Sequence, residues 1–195
     1  METIGILGGS FNPVHIGHMM LASYLTQWGY VDNVWLTLSP LNPLKDADSL
    51  LPDTKRLNML AIAAKGADAI DICDIELSMP KPSFTINTLD LLAERYPDKR
   101  FKLIIGSDNW QIFEQWRDWQ RILNDYGVMV YLRPGYPVEK RSVDGLEVVD
   151  APMVHVSSTF IRNAIARGRN MNYFLPAGVF KYISDNKLYV PNDKK

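Results

Sequence analysis

The chain has 195 residues, 47% of them hydrophobic and 22% charged, with 21 Lys and Arg against 22 Asp and Glu for a formal net charge of −1 at pH 7. This is the composition of an ordinary globular protein able to bury one sizeable core, and its balanced charge offers no broad positive field for a phosphate backbone, which argues against nucleic acid as a partner. The single cysteine, Cys73, excludes an internal disulfide framework and a cysteine-rich zinc site, and reads as a small buried apolar residue in a reducing compartment.

The N-terminal METIGILGG has no cationic segment ahead of an apolar one, so it does not read as a signal peptide. No apolar run approaches the roughly 20 residues that span a bilayer. A soluble cytoplasmic protein with no membrane partner is therefore expected, and no sequence feature argues for an oligomeric state.

Strand-length apolar runs alternate with segments of helical period. Thr3–Leu7 reads as a strand and Ile16–Trp28 as a helix; Val34–Leu38 is the next strand, running into the turn-forming SPLNPLK. Asp53 and Thr54 are candidate caps for a helix from Lys55 to about Lys65, with Leu57, Leu60, Ala61 and Ala64 on one face. Ala69–Ile75 reads as a third strand. Ser83 or Thr85 opens a helix that stops before Pro97, because the residue before a proline disfavours the α region. FKLII, Phe101–Ile105, is a buried strand. Asp108–Leu123 is helical with an interruption near Arg117–Asp118, Tyr126–Leu132 and Leu146–Val149 are extended, and Ser158–Ala166 and Pro176–Ser184 are helices. The alternation predicts a doubly wound α/β fold, a mostly parallel Rossmann-like sheet with helices on both faces. Such sheets bind ligands beyond the carboxyl ends of their strands, where strand order reverses.

The loop after the first strand is GGSFNPVHIGH. Gly8 and Gly9 let a phosphate approach the backbone, and the following helix start presents free N–H groups and a positive dipole end. His15 and His18, at i and i+3, lie on one face of its first turn, and Gly17 between them leaves a gap for a flat group. Zinc ligation, plain capping and phosphate ligation all remain open for the pair; zinc lacks the HExxH spacing and a further ligand, and phosphate fits best. Neither a P-loop GxxxxGK[ST] nor a GxGxxG occurs. Far along the chain, HVSSTFIR, His155–Arg162, offers Ser157, Ser158 or Thr159 as a helix cap and Arg162 as a bidentate phosphate donor; a plain capped helix with a solvated arginine is the alternative.

Together, GGSFNPVHIGH and SSTFIR resemble the two signature motifs of the HxGH nucleotidyltransferase superfamily, and PSFTINTL, IIGSDN and FEQWRDWQRI resemble its nicotinate mononucleotide adenylyltransferase branch. The likeness runs from Gly8 to about Tyr189 and implies one nucleotidyltransferase domain over residues 1–195, with a helical part from about residue 157 and a polar tail at 191–195. The resemblance implies transfer of the adenylyl group of ATP to nicotinate mononucleotide, giving deamido-NAD and pyrophosphate, with Mg²⁺ accompanying ATP. It implies that His15, His18 and Arg162 act on the triphosphate, that Gly8, Gly9, Ser10 and Phe11 line the phosphate groove, and that Ser157, Ser158 and Thr159 hold the outer phosphates with Lys45 nearby. For the mononucleotide it implies Thr85 at the nicotinate end, Trp116 stacked on the ring, Gly106 in the GSDN turn with Asp108 accepting from a ribose hydroxyl or orienting a neighbour, and Arg133 on the phosphate. Trp110, Phe113, Trp116 and Trp119 recur at threes, a stripe that by itself reads as core.

The sequence departs from the family pattern at Leu44, where many relatives carry histidine, and at Asn12, where aspartate is more common. Within the superfamily the alternatives are preference for nicotinamide mononucleotide or for another phosphorylated acceptor such as phosphopantetheine. Outside it, a noncatalytic nucleotide sensor would not need His15, His18 and Arg162 together, and a class I aminoacyl-tRNA synthetase fragment should carry a KMSKS-like loop, which is absent.

Overall fold

The computed structural model describes residues 1–40, 50–139 and 142–191. Six strands form one parallel sheet: β1 (Glu2–Gly9), β2 (Asn33–Leu38), β3 (Ile70–Cys73), β4 (Lys99–Gly106), β5 (Val128–Tyr131) and β6 (Leu146–Val149), in the order β3-β2-β1-β4-β5-β6. The helices are α1 (Ile16–Gln27), α2 (Asp53–Ala64), α3 (Thr85–Arg95), the short α4 (Ser107–Trp110) and α5 (Trp119–Arg121), α6 (Ser158–Ala166) and α7 (Val179–Asp185). This is the doubly wound α/β architecture that the alternation predicts.

Period-two alternation puts neighbouring strand residues on opposite faces. Leu7, Leu36, Ile104 and Met129 pack on one face with residues of α1, α2, α6 and α7, while Ile4, Ile6, Leu103 and Val130 pack on the other with α3 and Phe113. Near-continuous apolar strands such as FKLII are what a parallel sheet buried on both faces requires.

Register opens the crevice at the switch point. β1 stays paired with β2 as far as Gly9↔Leu38, but its pairing with β4 ends at Leu7↔Ile104. Beyond that, Gly106 of β4 pairs only with Tyr131 of β5. The ends of β1 and β4 thus part company, and the loops that follow them face each other across a gap.

Several predicted elements shift for identifiable reasons. α2 buries Arg56, Met59, Leu60 and Ala63 instead of the face through Leu57, Ala61 and Ala64. The periodicity is right, but its phase is set by an arginine that apolar counting leaves out. Asp53 is the first residue of α2 with Pro52 at the cap, and its carboxylate accepts from Arg56 at 2.5 Å. The third strand is confined to Ile70–Cys73, since Ala69 takes φ 58 before it and a 3₁₀ turn, Ile75–Ser78, follows. The stretch Asp108–Leu123 breaks into short helical pieces, with Asp118 at φ 51 at the expected interruption. Phe113 is the hub of that stretch, 1% exposed and stacked 5.1 Å from Trp110. Tyr126 falls in a π turn ahead of β5, its hydroxyl donating to Asp90 at 2.6 Å. α7 starts at Val179, because Gly178 turns the chain in at φ 85. Of the polar tail, residues 192–195 lie outside the described residues.

Gly145 tests the seam between β5 and β6. Its carbonyl accepts from Val128 N–H at 2.7 Å, it has φ +81, and a Cβ there would stand 2.2 Å from the Leu123 carbonyl oxygen. Gly145→Ala is expected to cost at least about 2 kcal/mol, a Tm loss of roughly 4–8 °C. Gly168→Ala, also at positive φ (+71) but with open space around the Cβ, should cost about half as much in the same thermal melts.

Candidate active site

The crevice beyond β1 and β4 is a cleft of about 750 Å³, lined by Ser10, Asn12, His15, His18, Arg133 and Arg162 among others. Among the described residues that line it there is no Asp or Glu. Two guanidinium groups and three imidazoles, those of His15, His18 and His155, therefore face a space that repels no anion, and the order of the sheet puts that space at the switch point.

α1 begins at Ile16, with His15 extended at its N-cap (φ −141, ψ 171). His18, one turn in, accepts from the backbone N–H of His15 through Nδ1 at 3.2 Å. The two rings stack with centroids 3.7 Å apart and planes 21° from parallel. Behind them Phe11 meets His18 edge-on at 5.0 Å. The Phe11 side chain is 2% exposed and part of the core, so it seats His18 instead of lining the groove. The expected gap over Gly17 is filled: a Cβ there would stand 3.1 Å from the His15 ring and 3.3 Å from Val156. Glycine at 17 is what lets the His15 ring lie down on the helix.

Burial, reinforced by the positive charge of Arg133, lowers the pKa of His15 from 6.5 to about 4. In the free protein His15 is thus neutral at pH 7 and offers an N–H, not a full charge.

The opposite wall is the start of α6. Ser157 caps it, accepting from Phe160 N–H at 3.2 Å. Ser158 donates its hydroxyl to the Pro13 carbonyl at 2.8 Å, and Arg162 donates to the Asn12 carbonyl at 2.8 Å and to Thr159 Oγ1 at 3.3 Å. The Ser158 proton is thereby committed to the first loop. Asn12, 3% exposed and joined to Pro13 by a cis peptide, accepts from the Tyr189 hydroxyl at 2.8 Å through its side-chain oxygen. Burial raises the Tyr189 pKa, so the phenol keeps the proton it donates. The motif early in the chain and the motif late in it are stitched into one site.

Across the crevice, Arg133 follows β5 and bonds to Asp108 at 3.2 Å and to the Tyr131 hydroxyl at 2.6 Å, while its backbone N–H donates to buried Ser107 at 2.8 Å. Gly106 makes room for this pair, since a Cβ would stand 2.4 Å from Asp108 Oδ1 and 2.6 Å from Arg133 Nε. Gly8, next to last in β1, is exposed, and a Cβ on Gly9 would press on the Phe11 ring at 3.1 Å. Thr85 and Trp116 are not among the residues that line the cleft. Thr85 opens α3, whose cap residue Phe84 lies 4.9 Å from the Arg117 guanidinium, and Trp116 packs on Phe113 at 5.6 Å. These two elements meet each other beside the second core. Lys45 and Leu44 lie outside the described residues.

Composition and motif reading miss Arg56, fully buried under the first loop, and Tyr189. The only sequence signal for Arg56 is its place at i−3 and i−4 from Met59 and Leu60 on the buried face of α2.

The cytidylyltransferase-like family model matches residues 6–164. The chain belongs to this nucleotidyltransferase family. Among the relatives of this cytidylyltransferase-like chain are probable nicotinate-nucleotide adenylyltransferases of Bacteroides fragilis, 44% identical over 92% of this chain and 90% of that one, and of Flavobacterium johnsoniae, 40% identical over 95% and 98%. The fold is shared with the Plasmodium falciparum nicotinic acid mononucleotide adenylyltransferase complexed with NaAD, at TM-score 0.79 and 19% identity over 97% of this chain and 98% of that one. No helix among the described residues of this cytidylyltransferase-like protein is long and apolar enough to cross a membrane.

His15 also makes stability depend on pH. Its folded pKa of about 4 lies below the 6.5 of the unfolded chain, so the unfolded state binds the extra proton between those values. The contribution is complete above pH 6.5 and drains away as pH falls toward 4, by on the order of 3 kcal/mol in all. Urea unfolding at pH 7.5 and 4.5 should show the wild type losing roughly 2–3 kcal/mol more than His15→Asn. Equal losses would show that the imidazole is not held neutral.

Proposed function

We propose that the chain transfers the adenylyl group of ATP to nicotinate mononucleotide, releasing pyrophosphate and nicotinate adenine dinucleotide, an adenylylation step of NAD synthesis. The observation that carries this reading is the crevice at the switch point, with no carboxylate among its described lining residues, where His15, His18, Arg162 and the N-terminus of α6 face Arg133 across the gap. The names of the relatives supply the acceptor.

In this reading a 5′-phosphate oxygen of the mononucleotide attacks the α-phosphorus, the bond from that phosphorus to the bridging oxygen breaks, and pyrophosphate leaves. No bond to the protein forms. The chain's task is to hold two polyanions together and offset charge on the equatorial and leaving oxygens. His15 and His18 with the loop at Gly8, Gly9 and Ser10 hold the triphosphate from one side; Ser157, Thr159 and Arg162 hold its outer phosphates from the other. Ser158 serves by fixing the loop. Arg133, oriented by Asp108 over Gly106, takes the mononucleotide phosphate, and Thr85 and Trp116 take the pyridine end. As the phosphates settle, their charge draws the His15 pKa up from about 4, so the ring gains hydrogen-bonding strength where it is needed. Mg²⁺ enters on the triphosphate as part of the substrate and screens its charge.

Pyrophosphate release with MgATP and nicotinate mononucleotide should be at least about tenfold faster than with nicotinamide mononucleotide or phosphopantetheine, a discrimination that a few well-placed hydrogen-bonding groups can supply. Absence of turnover on the nicotinate compound would overturn the reading. His18→Ala should lower kcat by on the order of 10² with the circular-dichroism spectrum unchanged, as removal of a charge-stabilising donor does; near-full kcat would remove His18 from its role.

A further inference from the structure

Arg56 touches neither the cleft nor solvent: it is 0% exposed, and it is absent from the cleft lining. A guanidinium has five N–H donors in a rigid fork, and Arg56 makes five hydrogen bonds. Nε donates to the Leu51 carbonyl at 3.0 Å; one terminal nitrogen donates to the carbonyls of Ser10 at 2.6 Å and Ser39 at 2.9 Å; the other donates to the Pro40 carbonyl at 3.2 Å and to Asp53 at 2.5 Å. The acceptors come from the loop after β1, the loop after β2 and the residues leading into α2. A buried charge with four main-chain partners is an expensive way to fill a core, since well-packed apolar side chains do it at no desolvation cost.

The Ser10 bond shows what this cation does. The Ser10–Phe11 peptide is planar, so fixing its carbonyl fixes the whole unit and turns the Phe11 N–H away from Arg56. That plane also sets φ at Phe11, which is +43, in the left-handed region a phenylalanine rarely enters. Phe11 in turn carries the ring that meets His18 edge-on at 5.0 Å. The same loop is held at two later carbonyls, by Arg162 on Asn12 and Ser158 on Pro13, both from the opposite wall.

We propose that Arg56 is a positioning residue for adenylyl transfer: from inside the core it holds the Ser10 peptide, and through it the strained Phe11, so that His18 stands ready for the triphosphate. This rests on the proposed use of the crevice for ATP. A lysine at 56 would keep the charge but has three donors at a point and no fork, so it cannot reach acceptors from three segments.

Steady-state kinetics of Arg56→Lys should show KM for ATP raised at least tenfold and kcat lowered, with KM for nicotinate mononucleotide within twofold of wild type. A role in stability alone would lower Tm and the active fraction and leave both KM values in place, which would overturn the inference. Proton NMR of the three histidines gives a second readout, because losing the Phe11 edge contact should move the His18 ring signals while the fold is retained. Should Arg56→Lys fail to fold, Asp53→Asn removes only the charged acceptor and should raise KM for ATP in the same direction by twofold or more; an unchanged value there overturns the inference as well. Calorimetric binding of a nonhydrolysable ATP analogue separates the two readings. A wild type that binds the analogue without turning over nicotinate mononucleotide loses its proposed acceptor, while a tenfold weaker analogue Kd in Arg56→Lys still upholds Arg56. A wild type that does not bind the analogue overturns both.

Discussion

Three carbonyls of one loop, those of Ser10, Asn12 and Pro13, are each caught by a different side chain: Arg56 from beneath, Arg162 and Ser158 from the far wall. Everything at the crevice depends on this. The loop leaves β1 just where β1 stops pairing with β4, so the sheet no longer holds it on that side. A free loop there would let the helix behind it drift, and with it both imidazoles. Donors from α2 and α6 take over where the strand ladder ends, and the side-chain hydrogen bonds supply the rigidity that phosphate chemistry asks of its first contacts.

Electrostatics divide the crevice in a way its motifs alone do not reveal. Arg133 and Arg162 bring guanidinium groups to the crevice, whereas His15 is held neutral by burial and by Arg133. Asp108, the carboxylate beside Arg133, is turned to that guanidinium and sits outside the lining. The free site is thus positive enough to attract a polyanion and yet keeps its most buried ring uncharged until that anion arrives. Committing Ser158 to Pro13 follows the same economy, since in the proposed reaction a hydroxyl that anchors the loop leaves the phosphates on this wall to Ser157, Thr159 and Arg162.

Much of the fold was legible because a parallel sheet covered on both faces writes itself in long apolar strands and periodic helices. FKLII, VWLTL and the helix at Ser158–Ala166 could hardly be read otherwise. Where reading failed, the cause was usually a polar group doing a core task. Arg56 shifts the buried face of α2 by one residue, because apolar counting assigns an arginine to the surface. Phe11 reads as a groove residue from its motif, but its positive φ sends the ring into the core. The Trp-rich stretch breaks into short turns around Phe113, a matter of three-dimensional packing that spacing at threes cannot convey. The meeting of HxGH with SSTFIR was visible only as resemblance; what joins them physically, bonds spanning 145 and 150 residues, has no local signature. Nor has the partnership of Asp108 with Arg133, which depends on two strand ends lying side by side.

Those long spans also set an order of assembly. A ribosome delivers every strand of the sheet by Val149, before it delivers Ser158, Arg162 or Tyr189. The scaffold can therefore form while the crevice still lacks its second wall, and the loop at Ser10–Pro13 acquires its last three donors only when the C-terminal helices fold back over β1. The second wall of the crevice thus belongs to the finished chain, and a half-made copy would have the whole sheet but only one side of its cleft.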